Sequence, residues 1–175
     1  MPTSHTTRDS ATWLPMMRGT MIRLVPAMLA WEIVQLPLYT LWRDGTAWEL
    51  AFAVLHCTAG DALIALAALS WALVIVGAPQ WPERAFGRVL AATVVIGLAY
   101  TVYSEWLNVE IRRSWAYAAA MPVLPILGTG AGPLLQWAVL VAAELRTSAG
   151  WRQGLGAPAA GLGTTARSRP GQVRR

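Results

Sequence analysis

Residues 50–76, LAFAVLHCTAGDALIALAALSWALVIV, decide the fold, and their one formal charge is at Asp61. A helix of that length reaches about 40 Å at about 1.5 Å per residue, more than the roughly 30 Å of a bilayer's hydrocarbon core. A run this long and this poor in charge reads as a transmembrane helix. Working outward, three more apolar runs cover residues 24–42, bounded by Arg23 and Arg43, residues 89–107, and residues 121–143. Length makes the case for helices, since barrel strands would be about ten residues long with alternating polarity, and that alternation is absent.

The composition agrees. Of the 175 residues, 55% are apolar and 13% charged, with ten tryptophans. A soluble domain carries about 25% charged residues. Mean hydropathy is +0.43. These values argue against a soluble enzyme, a disordered chain and a fibrous repeat. All 14 basic residues are arginine, and nine acids leave a net charge of +5. The arginines lie at the chain ends and between the apolar runs, as topogenic charge does, with no basic stripe for nucleic acid. Cys57 is the only cysteine, so no intrachain disulfide forms. The run from Leu24 to Ala30 is short for a signal peptide, and Trp31-Glu32 follows with no small-x-small cleavage site, so a retained helix is expected.

Four spans place the N-terminus, the second loop and the C-terminus on one side. That side holds Arg8, Arg18 and Arg23, then Arg84 and Arg88, then six arginines from Arg146 to Arg175. The other side holds Arg43, Arg112 and Arg113. Eleven against three satisfies the positive-inside rule and predicts that both termini are cytoplasmic. The expected organisation is a polar cytoplasmic N-terminus (1–20), a transmembrane domain (21–145) and a disordered basic cytoplasmic tail (146–175). That tail is rich in Gly, Ala, Pro, Ser, Thr and Arg and cannot bury enough apolar surface to fold alone. The fold class is all-α: a polytopic bundle of four transmembrane helices, the fourth open to a break at its Gly/Pro-rich centre.

Polar residues inside spans are expensive and mark function by default. Glu32 and Gln35 lie in the first span, His56, Thr58 and Asp61 in the second. Tyr100, Thr101, Tyr103, Ser104, Glu105 and Asn108 line the end of the third, and Gln136 lies in the fourth. Helical rise puts nearly all of them between the midplane and the non-cytoplasmic interface. The ligand-binding or proton-handling candidates are therefore Glu32, Gln35, His56 and Asp61, with Tyr100, Tyr103, Glu105 and Asn108. His56 lies about 140° from Asp61 around an ideal helix, so the two do not share one small ligand. Thr58 shares a face with Asp61, and Gly60 leaves room beside it.

In the fourth run, Pro122 and Pro125 precede Gly128-Thr129-Gly130-Ala131-Gly132-Pro133. Two readings stand. One is a broken helix whose second half starts within the membrane. The other, which is favoured, is close helix packing through the Gly128–Gly132 pair. Trp42, Trp48, Trp106, Trp115 and Tyr117 read as an outer aromatic belt, and Trp71, Trp81 and Trp151 as an inner one.

A metal set is not expected, because no recognised ligand spacing joins His56, Cys57, Asp61, Glu32 and Glu105, and His5 sits in the polar N-terminus. Haem is disfavoured because His56 is the sole intramembrane axial candidate. No cofactor is identified. Ser104 has no hydrolase signature around it, and Cys57 reads as an inert thiol. Acid–base chemistry or proton-linked binding by the buried carboxyls fits better.

The stretches His56-Cys57-Thr58-Ala59-Gly60-Asp61, Tyr103-Ser104-Glu105-Trp106-Leu107-Asn108, Trp115-Ala116-Tyr117, Met121-Pro122 and Pro133-Leu134-Leu135-Gln136-Trp137 resemble a family of small bacterial four-span membrane proteins. The likeness covers most of residues 20–145 and implies a location without an activity. Three functions remain: a binding or carrier protein for a small amphiphile or lipid, a membrane-embedded acid–base enzyme, and a structural or assembly subunit. The expected partners are the lipid bilayer and a small amphiphilic ligand, with no nucleic acid. Four spans make a thin bundle, for which a homodimer is one expected assembly.

Overall fold

The computed structural model of the chain describes residues 13–78 and 80–156. The residues before Trp13 and after Gly156, where the polar N-terminus and most of the basic tail were expected, lie outside them.

The chain is mostly helical. Helix α1 spans Trp13–Gln35 and runs into a 3₁₀ turn, Leu36–Leu38. A short helix α2, Leu41–Asp44, precedes the long α3, Ala47–Val76. Helix α4 spans Phe86–Trp106 and ends in a wide π turn, Leu107–Ile111. A two-stranded hairpin follows, β1 Val123–Leu124 paired antiparallel with β2 Thr129–Gly130. The last rod comprises α5 Ala131–Gln136, a π turn Trp137–Val141 and α6 Ala142–Gly156.

Three of these helices are long and apolar enough to cross a membrane: Trp13–Leu38, Ala47–Val76 and Phe86–Ile111. Only 22% of each apolar window is buried. Val34, Leu63 and Val74 are 77%, 68% and 71% exposed. Large apolar side chains displayed this widely around three helices suit a lipid surround, since a soluble monomer rarely shows patches beyond a few hundred Å².

Local signals set the ends. Helix α3 starts three residues before the apolar run because Thr46 and Glu49 form a capping box. The Glu49 amide donates to the Thr46 hydroxyl (3.3 Å), and the Thr46 amide to the Glu49 carboxylate (2.8 Å). Gly77, at φ 62°, ends it with its amide bonded to the Leu73 carbonyl. Pro37 ends α1 at Gln35, well short of the expected residue 42, because it supplies no amide for the helical ladder and disfavours helical backbone before it.

Four expectations are corrected. Residues 13–20 belong to α1, not to a polar terminus, and Met16, Met17 and Thr20 are buried. The fourth run is not helical over 121–143. Residues 121–130 form turns and the hairpin, because Pro122 and Pro125 remove two amide donors and Gly128 takes a left-handed turn at φ 63°. A continuous rod begins at Ala131 instead, so no helix is broken at the glycines. The Gly128–Gly132 packing pair is also absent, since Gly128 lies outside any helix. Finally, the tail does not begin at Arg146. Helix α6 continues to Gly156 because Leu145, Ser148 and Ala149 bury against the other helices.

The core lies at the end of the rods away from the hairpin. On α3 a stripe of Ala65, Ala68, Leu69 and Ala72 is buried at helical spacing, and the small residues permit close approach. Helix α3 packs on α1 and α4, and α6 on α1. The wholly buried Trp137 ring lies over Gly97, where any Cβ would sit 2.0 Å from it. Thr20 and Arg23 of α1 both reach Ser148, and Arg23 pairs with Glu144 at 3.1 Å. Trp81, expected in an inner belt, is fully buried in this core.

Candidate functional site

A cavity of about 350 Å³ occupies the opposite end. Its walls are the C-terminal end of α1, the first half of α3, the last turns of α4 and the start of α5. Seven of the eight candidate residues line it: Glu32, Gln35, His56, Asp61, Tyr100, Glu105 and Asn108. Tyr103 does not. It is 51% exposed and meets Tyr100 and Trp106 edge-on or tilted at 6.1 Å. Tyr103 lies two residues from both Thr101 and Glu105, about 200° around the helix from each, so it points outward while they point in.

Asp61 and Glu105 are tied across elements, and Glu32 within its own helix. Gln35 donates to Glu32 (2.8 Å) and accepts from the Trp31 indole (3.0 Å). Gln136 of α5 donates to Asp61 of α3 at 2.7 Å. Glu32 of α1 and Asp61 of α3 line the same cavity. Gly132 is small because Gln35 demands it: a Cβ there would come within 2.9 Å of the Gln35 side-chain oxygen.

Glu105 is held from the loops. The Tyr117 hydroxyl donates to its carboxylate and accepts from the Gly130 amide at 3.0 Å. Burial lifts the Tyr117 phenol above its ordinary pKa, and the bond to Glu105 adds in the same direction, so Tyr117 keeps the proton it donates. Tyr117 is fixed by a backbone bridge to Tyr39, with the two rings 5.7 Å apart.

Three assigned roles shift. Thr58 turns its hydroxyl to the Val54 carbonyl (2.7 Å) and gives Asp61 no help. The Asn108 amide donates to the Ser104 carbonyl of its own helix (2.9 Å). His56 is exposed at the mouth, stacked on Phe52 with ring centroids 5.4 Å apart, and separate from Asp61 as its helical angle requires.

Among the described residues four buried polar groups have no partner: the Trp81 and Trp137 indoles in the packed core, and Thr101 and Trp115 at the cavity. Thr101 is 7% exposed and its hydroxyl bonds to nothing, although it lines the cavity. The other buried helical threonines are all bonded, Thr58 and Thr93 to the carbonyl four residues earlier and Thr20 to Ser148. The Trp115 indole nitrogen also lines the cavity and approaches Glu105 without closing a well-formed hydrogen bond. This draws Trp115 out of the expected outer belt, where Trp42, Trp48 and Trp106 remain exposed. Thr101 carries no mark in the sequence that separates it from Thr93. Among the described residues, no three His, Cys, Asp or Glu side chains converge as a metal-binding set.

No family model matches the chain, and no curated protein or solved structure matches it either. The site's own chemistry must carry the functional reading.

Proposed function

We propose that this is an integral protein of the bacterial inner membrane whose cavity binds or carries a small amphiphile or lipid. In this reading the rod Ala131–Gly156 is the fourth span of a helical bundle, and both termini are cytoplasmic. The arginine asymmetry supports that threading. Reporter fusions at Gly77 should then read cytoplasmic and at Gly45 external, and a cytoplasmic signal at Gly45 would overturn it.

The observation that carries the binding function is the unpartnered Thr101 hydroxyl in a roomy cavity. Structural pairing accounts for Glu32, Gln35, Asp61 and Gln136, because Gln35 bonds Glu32 within α1 and Gln136 bonds Asp61 across to α3. It does not account for a buried hydroxyl left unbonded, which costs about 1–3 kcal/mol, nor for 350 Å³ of space beside it. A ligand accounts for both. Native mass spectrometry of the detergent-extracted protein should show a retained non-protein mass. The triple variant Glu32→Gln, Asp61→Asn, Glu105→Gln should fold and lose it. A folded triple variant that keeps the mass would refute a role for the acids in binding.

A second reading, a membrane-embedded acid–base enzyme acting on a lipid-like substrate, draws on the gathering of Glu32, Asp61 and Glu105 around one cavity. Carboxyls placed beside a bound substrate can take up and deliver a proton.

A further inference from the structure

Gly60 is the residue of interest. It is one turn from His56 and from Leu63, so the three share a face of α3. His56 and Leu63 are exposed and Gly60 lines the cavity between them. Tyr100 of α4, 49% exposed, lines the same cavity. A Cβ built at Gly60 meets no atom within 4 Å. The glycine is therefore not there for close packing, unlike Gly97 and Gly132. It leaves a gap beside α3 at the depth of Asp61. Gly60 lies about 2 Å from the midpoint of the 30-residue α3 at about 1.5 Å per residue. With α3 crossing the bilayer, the gap faces acyl chains.

We propose that the gap at Gly60 is a lateral door, through which a single-chain amphiphile passes its hydrogen-bond-donating head from the hydrocarbon into the cavity, leaving its chain outside against Leu63. The inference rests on the binding function proposed above. The head must bring donors because the lining is rich in acceptors. Glu32, Asp61 and Glu105 present more oxygens than Gln35, Gln136 and Tyr117 occupy. An alkanol hydroxyl and an alkylammonium share that chemistry. A carboxylate head meets three acids and is disfavoured, with Arg112 at the loop end as the lone arginine among the lining residues. The Thr101 hydroxyl, which both donates and accepts, is placed to answer either head, and the Trp115 N–H to answer the oxygen of an alkanol.

The test incubates the detergent-solubilised protein with dodecylamine, dodecanol or dodecanoate and reads the retained adducts by native mass spectrometry. The wild type should retain dodecylamine or dodecanol at least ten-fold over dodecanoate, and whichever head is kept identifies the source of the donor. Gly60→Leu should cut that adduct at least ten-fold, and Gly60→Ala less than two-fold. Thermal unfolding checks that both variants fold, as the open space at Gly60 predicts. Equal retention by the wild type and a folded Gly60→Leu would overturn the door and leave the cavity as a binding site. Dodecanoate retained as well as the others would overturn the donor head. Retention of none would overturn both the door and the binding function on which it rests.

Discussion

The two ends of the helical rods differ in what fills the space between them. Away from the hairpin, Leu24, Met28, Leu69, Trp137 and Leu145 are at most 2% exposed, and the small residues of α3 let its neighbours close in. Near the hairpin, the same helices stand apart around 350 Å³. They are joined by a hydrogen bond between long polar side chains, Gln136 of α5 to Asp61 of α3. In lipid there is no strong hydrophobic drive between helices, so association rests on close packing and interhelical hydrogen bonds. One end of this molecule uses the first and the other end the second. Polar side chains can bridge a gap that methyl groups would have to fill, so the cavity survives where the ties are polar.

The largest effect should come from breaking the packed end. Gly97→Val places atoms inside the Trp137 ring, and overpacking a filled core costs about 1–3 kcal/mol and sometimes more. Thermal unfolding in detergent should show a clear loss of stability, or no folded protein. A variant as stable as the parent would mean that the Gly97–Trp137 contact is not what closes this end.

The cavity end should respond the other way. Thr101→Val keeps the shape and removes an unbonded hydroxyl. Stability should hold or rise by about 1 kcal/mol, since the parent leaves that group unsatisfied, while the retained ligand mass falls. Thr93→Val is the control: its hydroxyl is bonded to Val89 at 2.8 Å, and its loss should leave ligand retention unchanged. If both changes behave alike, the contrast between the two threonines carries no functional meaning.

How far the sequence revealed this contrast depends on the residue. The charge-poor run of α3 could only be a long helix, and the Thr46–Glu49 spacing that starts it was present to be read. The clustering of Glu32, Asp61 and Glu105 at one depth followed from helical rise alone. Residues 121–130 misled because they are apolar in composition, while two prolines and two glycines forbid the helix that composition suggests. The outward face of Tyr103 was legible from its position opposite Glu105. The unpartnered state of Thr101 was not, because where a hydroxyl points depends on packing between elements far apart in the chain. The extension of α6 was hidden for the same reason, since Ser148 reads as a linker residue until Thr20 and Arg23 stand beside it.

The smallest effect should come from the Arg23–Glu144 pair at the packed end. Its side chains are 46% and 22% exposed, and such pairs contribute about 0–1 kcal/mol. Glu144→Gln should shift unfolding only slightly, and the shift should shrink as salt is added. A large, salt-independent loss would show that polar ties hold both ends and would remove the distinction.

The π turn at Trp137–Val141 bears on how this rod tolerates changes of length. A π turn accommodates one residue more than the α-helical turn it replaces, so the faces before and after it stay aligned despite the surplus residue. Removing the exposed Ala138 or Val139 would restore an ordinary helix and keep Gln136 and Leu145 on the same side. Removing any one residue between Ala142 and Ser148 would rotate everything after it by about 100°, carrying Ser148 and Ala149 away from α1. The rod thus has one spot where it can be shortened by a single residue without turning its inner face outward, and that spot separates the half that borders the cavity from the half that closes the core.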